Sequence, residues 1–193
     1  NGALSISGPH IGGLGSLAAR CRFVAQTREL LELYEVQPEA IAHDAHPDYF
    51  TTRWAEEQGV PTIAVQHHHA HVVAGMLEHG WLNRTVLGIA FDGTGLGTDG
   101  TIWGGEFLLA TTNDFHRVAS LRPFTLPGGE QAIRQPWRTA LSLLRDACGD
   151  DVAISTLQPF EEINQLERTI KLLSRGMGSR TSSLGRLFDA VAA

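Results

Sequence analysis

Histidines crowd one short segment of the chain, where four of five consecutive positions are His67, His68, His69 and His71. An apolar stretch that is typical of a buried strand, residues 62–66, precedes them. If a helix begins at the run, His67 and His71 are four residues apart and project from the same face. Two imidazoles in this arrangement can bind one divalent cation. The segment therefore predicts a metal site.

A histidine cluster can also be an expression tag or a solvated polar turn. This run is internal, is interrupted by Ala70 and follows an apolar segment, which favours metal binding. Neutral imidazole suits zinc, iron, copper or nickel. The HExxH zinc proteases carry a glutamate as general base directly after the first histidine, but here that position is His68. Catalytic zinc sites usually have three protein ligands, so we expect a third one elsewhere in the chain or, more in keeping with a fragment, beyond Ala193.

A glycine-rich loop, residues 92–100 with the sequence DGTGLGTDG, separates two β-rich stretches, residues 85–91 and 105–110. The pattern predicts a β-hairpin with a wide turn. Its glycines permit positive φ and close approach of backbone amides to a phosphate group. Alternatively, glycine and aspartate only form the turn, and the known phosphate-loop, dinucleotide and calcium-loop patterns do not fit. The residues leave both interpretations open.

Composition argues against several classes of protein. A chain of 193 residues, 42% hydrophobic, can bury one sizeable core or two small ones. Its net charge of -6 and its dispersed basic residues disfavour a nucleic-acid or membrane-surface binder. No apolar run approaches the roughly 20 residues that cross a bilayer. Cys21 and Cys148 form no CxxC motif and are typical of reduced thiols. We expect a cytoplasmic protein without nucleic-acid or membrane partners.

Strand and helix patterns alternate along the chain, as in α/β domains. The apolar spacing predicts helices, the first with Ser16 as N-cap, over residues 17–35, 49–58, 136–147, 164–174 and 185–193. It predicts strands over residues 40–42, 61–66, 85–91 and 105–110. Residues 124–130 are expected to form a Pro/Gly turn, and residues 180–183 a mobile polar loop.

Both ends of the chain are typical of a fragment. The chain starts at Asn1 without methionine and stops at Ala193 inside a helical pattern. Domain ends more often show a helix stop such as glycine or asparagine. We therefore expect residues beyond Ala193 to complete the fold.

Five phrases of the sequence resemble, in their order, the HypF family of hydrogenase-maturation carbamoyltransferases, in its TsaD-like (Kae-type) domain. They are SGPHIGGL (7–14), DAHPDYFTT (44–52), VQHHHAHVVA (65–74), FDGTGLGTDGTIWGGEF (91–107) and SLGRLFDAVAA (183–193). The resemblance implies an α/β fold of the actin/hexokinase type (ASKHA), without its C-terminal part. It implies one domain fragment, residues 1–193, with a histidine-bearing strand and helix region, 1–84, and a region with the glycine-rich loop and later helices, 85–193.

The resemblance also implies a reaction. In the family, a YrdC-like domain makes carbamoyl-adenylate from carbamoyl phosphate and ATP. The TsaD-like domain then transfers the carbamoyl group to the C-terminal cysteine of HypE, for the cyanide ligands of nickel–iron hydrogenase. The implied cofactor is a divalent metal, zinc or iron, and HypE is the implied partner. This chain lacks the family's YrdC-like, acylphosphatase and zinc-finger parts, so alone it is not expected to complete a catalytic cycle.

Residue by residue, the resemblance implies that His67 and His71 are metal ligands and that Asp189 binds the nucleotide ribose. It places the backbone loop that meets the adenylate phosphate at Ile89, Ala90, Phe91, Asp92 and Gly93. His69 stands where tRNA-modifying relatives have glutamate, and we expect it to steer or deprotonate the acceptor thiol. His68 is expected to face the core or solvent. The chain has Pro9 and Gly13 where the family phrase SQHIGDL has glutamine and aspartate.

Two other functions stay open. An O-carbamoyltransferase of antibiotic biosynthesis is similar in its histidine motif and adenylate chemistry but modifies a sugar hydroxyl. A non-enzymatic module would bind metal and nucleotide without performing the transfer. The identity of the acceptor distinguishes the first alternative from carbamoyl transfer to HypE. Alanine variants of His67 and His71 distinguish the second alternative from an enzyme.

Overall fold

The computed structural model describes residues 5–193, which fold as mixed α/β structure. The chain divides into two compact units after Val65, so the histidine run lies in the second unit. Within the part of the chain so described, no helix is both long and apolar enough to cross a membrane.

The first unit holds a small parallel sheet and two helices. These elements are α1 (Leu17–Leu33), β1 (Ile41–Asp44), α2 (Phe50–Glu56) and β2 (Thr62–Val65). Strand β1 pairs with β2 in parallel, with Ile41 opposite Thr62. The hydroxyl of Ser16 accepts the amide of Ala19 at 3.2 Å, which confirms the predicted N-cap.

A helix and a three-stranded antiparallel sheet open the second unit. They are α3 (His67–Glu78), β3 (Val86–Phe91), β4 (Gly105–Ala110) and β5 (Phe115–Ser120), with β4 in the centre. Strands β3 and β4 pair with Phe91 opposite Gly105, which confirms the predicted hairpin. Helix α3 packs on this sheet, and a Cβ at Gly88 would lie 2.3 Å from a methyl of Val72. By these contacts α3 belongs to the second unit.

The rest of the second unit is largely helical. It comprises β6 (Phe124–Leu126), α4 (Glu130–Arg134), α5 (Trp137–Cys148), α6 (Asp150–Leu157), α7 (Ile163–Ser174), β7 (Ser179–Thr181) and α8 (Leu184–Ala192). The core between α5, α6, α7 and α8 is formed by Trp137, Ala140, Leu141, Ala153, Leu157, Leu166, Ile170, Leu173 and Ala190. The spacing of apolar residues had predicted α5, α7 and α8 but not α4, α6 or β5.

Two predicted loops are wrong. Residues 124–126 form β6 instead of part of a turn, and β6 pairs antiparallel with β7. Residues 180–183 are not a mobile loop, because Thr181, Ser182 and Ser183 are at most 1% exposed. Their hydroxyls form hydrogen bonds inside the protein, and small polar residues can be buried when their polar groups are hydrogen-bonded in this way.

Candidate metal centre

The start of α3 presents two histidines side by side. Gln66 caps the helix, since its side-chain oxygen accepts the amide of His69 at 2.8 Å. With the helix beginning at this point, His67 and His71 share a face, and their Nε2 atoms are 3.2 Å apart. The two rings lie at 79° to each other. The predicted i,i+4 pair is therefore present and converges on one point.

Asp92 completes a group of three ligand atoms. It directly follows β3, and its Oδ2 lies 2.9 Å from Nε2 of His67 and 3.8 Å from Nε2 of His71. The ligand atoms of the three residues are all within 4.8 Å of one another. Sequence reasoning had assigned Asp92 to the phosphate loop and had favoured a third ligand beyond Ala193 over one elsewhere in the chain. The fold instead supplies a third candidate from within the chain.

The donor set fits zinc or iron. Two imidazole nitrogens and one carboxylate oxygen are typical ligands of catalytic zinc and of non-haem iron. Zinc forms bonds of about 2.0–2.2 Å to such ligands, so donor atoms about 3–4 Å apart can share one ion. The side chains of His67, His71 and Asp92 are 29%, 61% and 31% exposed, respectively. The cluster is thus open on one side, where a substrate could approach.

The backbone around Asp92 is held from several sides. Its amide donates to the carbonyl of Gly104 at 2.9 Å, and its own carbonyl accepts from the hydroxyl of Ser183 at 2.7 Å and the amide of Gly185 at 3.1 Å. Its Oδ1 accepts the amide of Gly93 at 2.6 Å. Partners of this kind fix the position of the Asp92 carboxylate relative to His67 and His71.

The predicted phosphate loop is only partly a loop. Ile89, Ala90 and Phe91 lie in β3, where they pair with β4, and only Asp92 and Gly93 belong to the turn. The amides of Asp92, Gly93, Gly97 and Gly100 donate to groups within residues 92–104. A phosphate oxygen that accepts from the amide of Gly93 would therefore have to displace Oδ1 of Asp92 from that amide.

The predicted ribose ligand lies on α8. Ser183 caps this helix by accepting the amide of Arg186 at 3.2 Å. The carboxylate of Asp189 lies 2.7 Å from Nη1 of Arg186, and its side chain is 32% exposed. Since the start of α8 bonds to the backbone of Asp92, the helix lies next to the group of His67, His71 and Asp92. A ribose at Asp189 remains a prediction.

His68 is fully buried beneath the glycine-rich loop. The side-chain amide of Gln66 donates to its Nδ1 at 3.1 Å and to the carbonyl of Leu96 at 3.1 Å. A Cβ at Gly95 would lie 2.4 Å from Cε1 of His68, so glycine is required there. Burial lowers the pKa of His68 to about 4, and the neighbouring His67 adds to the shift. His68 therefore supports the loop as a neutral ring.

His69 lies on another side of α3, two residues away from both His67 and His71. It is 7% exposed, and its Nε2 donates to the carbonyl of Thr111 at 2.8 Å. Its ring centroid is 4.9 Å from that of Phe115. This placement favours a packing role, and the predicted action of His69 on an acceptor thiol gains no support from it.

Sequence reasoning missed one further charged residue near the loop. Glu106 in β4 is 0% exposed and lies 2.6 Å from the guanidinium of Arg117 in β5. No motif marks this pair. An isolated acidic residue in a β-rich stretch was the only available signal, because strands otherwise seldom bury glutamate.

Comparison with known proteins places the chain in a family. Residues 2–78 match the family model described as "HypF Kae1-like domain", and residues 88–193 match "Carbamoyltransferase, Kae1-like Domain, second subdomain". The carbamoyltransferase HypF of Synechocystis sp. is 43% identical over 198 residues, covering 95% of this chain and 26% of that protein.

Solved structures are similar as well. A crystal structure of full-length HypF in the phosphate- and nucleotide-bound form matches with a TM-score of 0.86 and 40% identity, over 95% of this chain and 24% of that one. HypF of T. kodakarensis matches with a TM-score of 0.83 and 30% identity, over 94% of this chain and 26% of that one. The chain thus spans about a quarter of the length of these relatives. It belongs to the HypF carbamoyltransferase family, as part of the Kae1-like domain, and has the α/β fold of that domain.

Proposed function

We propose that this chain carries the carbamoyl-transfer site of a HypF-type carbamoyltransferase, with a divalent cation bound by His67, His71 and Asp92. The observation that carries the proposal is the convergence of three ligand atoms within 4.8 Å at the edge of a glycine-rich loop. Family membership supplies the reaction class, since the relatives are named carbamoyltransferases. The crystal structure of a relative with phosphate and nucleotide supports the use of a nucleotide.

The proposed substrate is carbamoyl-adenylate, made from carbamoyl phosphate and ATP by a YrdC-like domain of the full-length protein. In the transfer, the thiol of the acceptor cysteine of HypE gives its proton to solvent, and its C–S bond forms as the C–O bond to the adenylate phosphate breaks, so that AMP leaves. His67, His71 and Asp92 would hold a zinc or iron ion, which would supply a Lewis acid for the negative charge that develops on phosphate oxygens.

The residues of the chain have separate parts in this scheme. His67 and His71 would hold the cation through ring nitrogens, and the carboxylate of Asp92 would offset part of the charge of the ion. The amide of Gly93 donates a hydrogen bond to the phosphate once its present hydrogen bond to Asp92 is broken. Asp189 accepts from the ribose hydroxyls. His69 is left outside the transfer step, because its nitrogen and ring are already engaged by Thr111 and Phe115.

The test is an assay of the full-length protein with carbamoyl phosphate, ATP and HypE, read by the mass of the C-terminal peptide of HypE. We expect a carbamoyl mass gain with the wild type and with the control His79→Ala, and none with His71→Ala. His79 is a matched control because it is an exposed histidine at the C-cap of the same helix.

Two results would contradict the proposal. Transfer that survives His71→Ala would show that the cluster is not used. AMP production by the wild type without modification of HypE would identify a different acceptor and would favour the O-carbamoyltransferase alternative.

A further inference from the structure

One buried carboxylate ties the glycine-rich loop to β5 and to the start of α8. The side chain of Glu106 is 0% exposed, and a buried carboxylate is costly unless it is paired and hydrogen-bonded. Its Oε2 accepts from Nε of Arg117 at 2.6 Å. Its Oε1 accepts from the hydroxyl of Ser182 and from the amides of Gly104 and Gly105, the latter two at 3.2 Å and 3.3 Å. Both oxygens of Glu106 are therefore used.

The link from Glu106 to the metal cluster runs through Gly104. The amide of Gly104 donates to Glu106, while its carbonyl accepts the amides of Asp92 and Leu184, each at 2.9 Å. Gly104 has a φ of 153°, and a Cβ there would lie 2.5 Å from the carbonyl oxygen of Asp92. The two backbones thus approach as closely as only glycine permits. A shift of Gly104 would therefore displace Asp92 and the start of α8 together.

Arg117 extends the same network to the far end of the loop. Its Nη1 lies 2.9 Å from Oδ2 of Asp99, and its guanidinium lies 4.5 Å from the ring centre of Trp103. Oδ1 of Asp99 in turn accepts from Nε1 of Trp103 and from the amide of Thr101, both at 3.0 Å. One guanidinium therefore bridges the tip of the loop at Asp99 and its base at Glu106.

We propose that Glu106 and Arg117 are positioning residues, which hold residues 92–104 in the conformation that brings Asp92 to His67 and His71. A loop this rich in glycine loses much conformational entropy when it is ordered. Fixing it in advance removes that cost from metal binding, as outer partners of metal ligands do elsewhere. The inference rests on the proposed metal site but concerns residues that contact neither the ion nor the substrate.

The test measures zinc affinity by chelator competition in the full-length protein, independently of activity. Only the zinc that the wild type binds and His71→Ala does not is counted, because the zinc-finger part of the full-length protein also binds zinc. We expect Glu106→Gln and Arg117→Lys each to weaken zinc binding by about 10–100-fold. Arg117→Lys keeps the positive charge, but a lysine cannot bridge Asp99 and Glu106 as the planar guanidinium does. If Glu106→Gln does not fold, Arg117→Lys decides alone.

A control separates positioning from general destabilisation. Leu166→Ala opens a cavity in the helical core, at a fully buried residue of α7, and should lower thermal stability without changing zinc affinity. Hydrogen exchange of metal-free protein should accelerate at residues 92–104 in Arg117→Lys but not in Leu166→Ala.

Unchanged zinc affinity in a folded Arg117→Lys variant would overturn the positioning role while leaving the metal site intact. Equal zinc binding by the wild type and His71→Ala would instead reject the metal site itself, and the positioning role with it.

Discussion

Helix α3 presents its four histidines to two contrasting environments. His67 and His71 meet Asp92 in a partly exposed cluster, with His71 61% exposed. His68 and His69 are buried, at 0% and 7% exposure, under the glycine-rich loop and beside Phe115. The same side chain thus serves two purposes, and the phase of the helix decides which. Our proposal gives metal binding to the exposed pair, His67 and His71, and a packing role to the buried pair, His68 and His69.

The contrast extends to the groups around each pair. The open cluster gathers a carboxylate beside imidazoles, which favours a cation. The buried side surrounds His68 with Gln66, Leu96 and Gly95, an environment that disfavours its charged form. Substitutions on the two sides should therefore separate metal binding from stability.

The largest expected effect is that of Asp92→Asn on metal binding. The substitution removes the negative charge but keeps an oxygen that can accept the amide of Gly93, so the loop should stay folded. We expect zinc affinity to fall at least about 100-fold, more than for an outer-shell residue. Chelator competition measures it, with the exposed Asp151→Asn as control. Equal affinities in the two variants would refute the assignment of Asp92 as a ligand.

The second prediction concerns pH and His68. Its pKa is lowered to about 4 in the folded protein, from 6.5, because burial disfavours the charged ring. The unfolded chain therefore binds more protons between these values, and stability is full above pH 6.5 and falls as pH drops toward 4. We expect a loss of about 2–3 kcal/mol over this range. Urea unfolding of metal-free protein measures it.

His68→Gln supplies the comparison for that pH series. The variant lacks the titrating ring, so its stability should change less between pH 6.5 and 4 than that of the wild type. Parallel pH profiles for the two proteins would mean that His68 is not buried as a neutral ring.

A smaller effect is expected for Gly95→Ala. The new methyl would lie 2.4 Å from Cε1 of His68, and overpacking of this kind costs about 1–3 kcal/mol. The same substitution should cost less in a His68→Ala background, where the ring is absent. A double-mutant cycle of unfolding free energies measures the coupling. Additive effects would show that the loop does not rest on His68.

The smallest effect is expected for Asp99→Asn. Burial raises the pKa of Asp99, but the bonds from Thr101 and Trp103 and the charge of Arg117 outweigh it and lower the pKa below its usual 3.8. The contribution of ionised Asp99 to the free energy of unfolding is therefore present above pH 3.8 and is lost as pH falls further. Because the side chain is 43% exposed, we expect Asp99→Asn to lower the free energy of unfolding by less than about 1 kcal/mol. Unfolding at pH 7 and pH 3 should show the difference from wild type shrinking at pH 3.

Local patterns of the sequence predicted the elements that carry the site. The i,i+4 spacing of His67 and His71, the hairpin around residues 92–104 and the Ser16 cap are all present in the structure. Such features depend on neighbours along the chain, so periodicity and capping residues reveal them. The same patterns did not reveal β6 and β7, since two three-residue strands have too few residues to show an alternation.

The sequence by itself determined the family, the helical phase of the histidine run and the hairpin, because each is a matter of residue order or local spacing. Only the tertiary structure decided that Asp92 joins His67, 25 residues earlier, that His69 is buried, and that Glu106 pairs with Arg117. The first two contacts arise when α3 packs on the sheet and α8 bonds to the loop, and the pair of Glu106 and Arg117 arises where β4 pairs with β5. Which distant groups then meet depends on strand register and on glycines that permit close approach, and no local pattern encodes it.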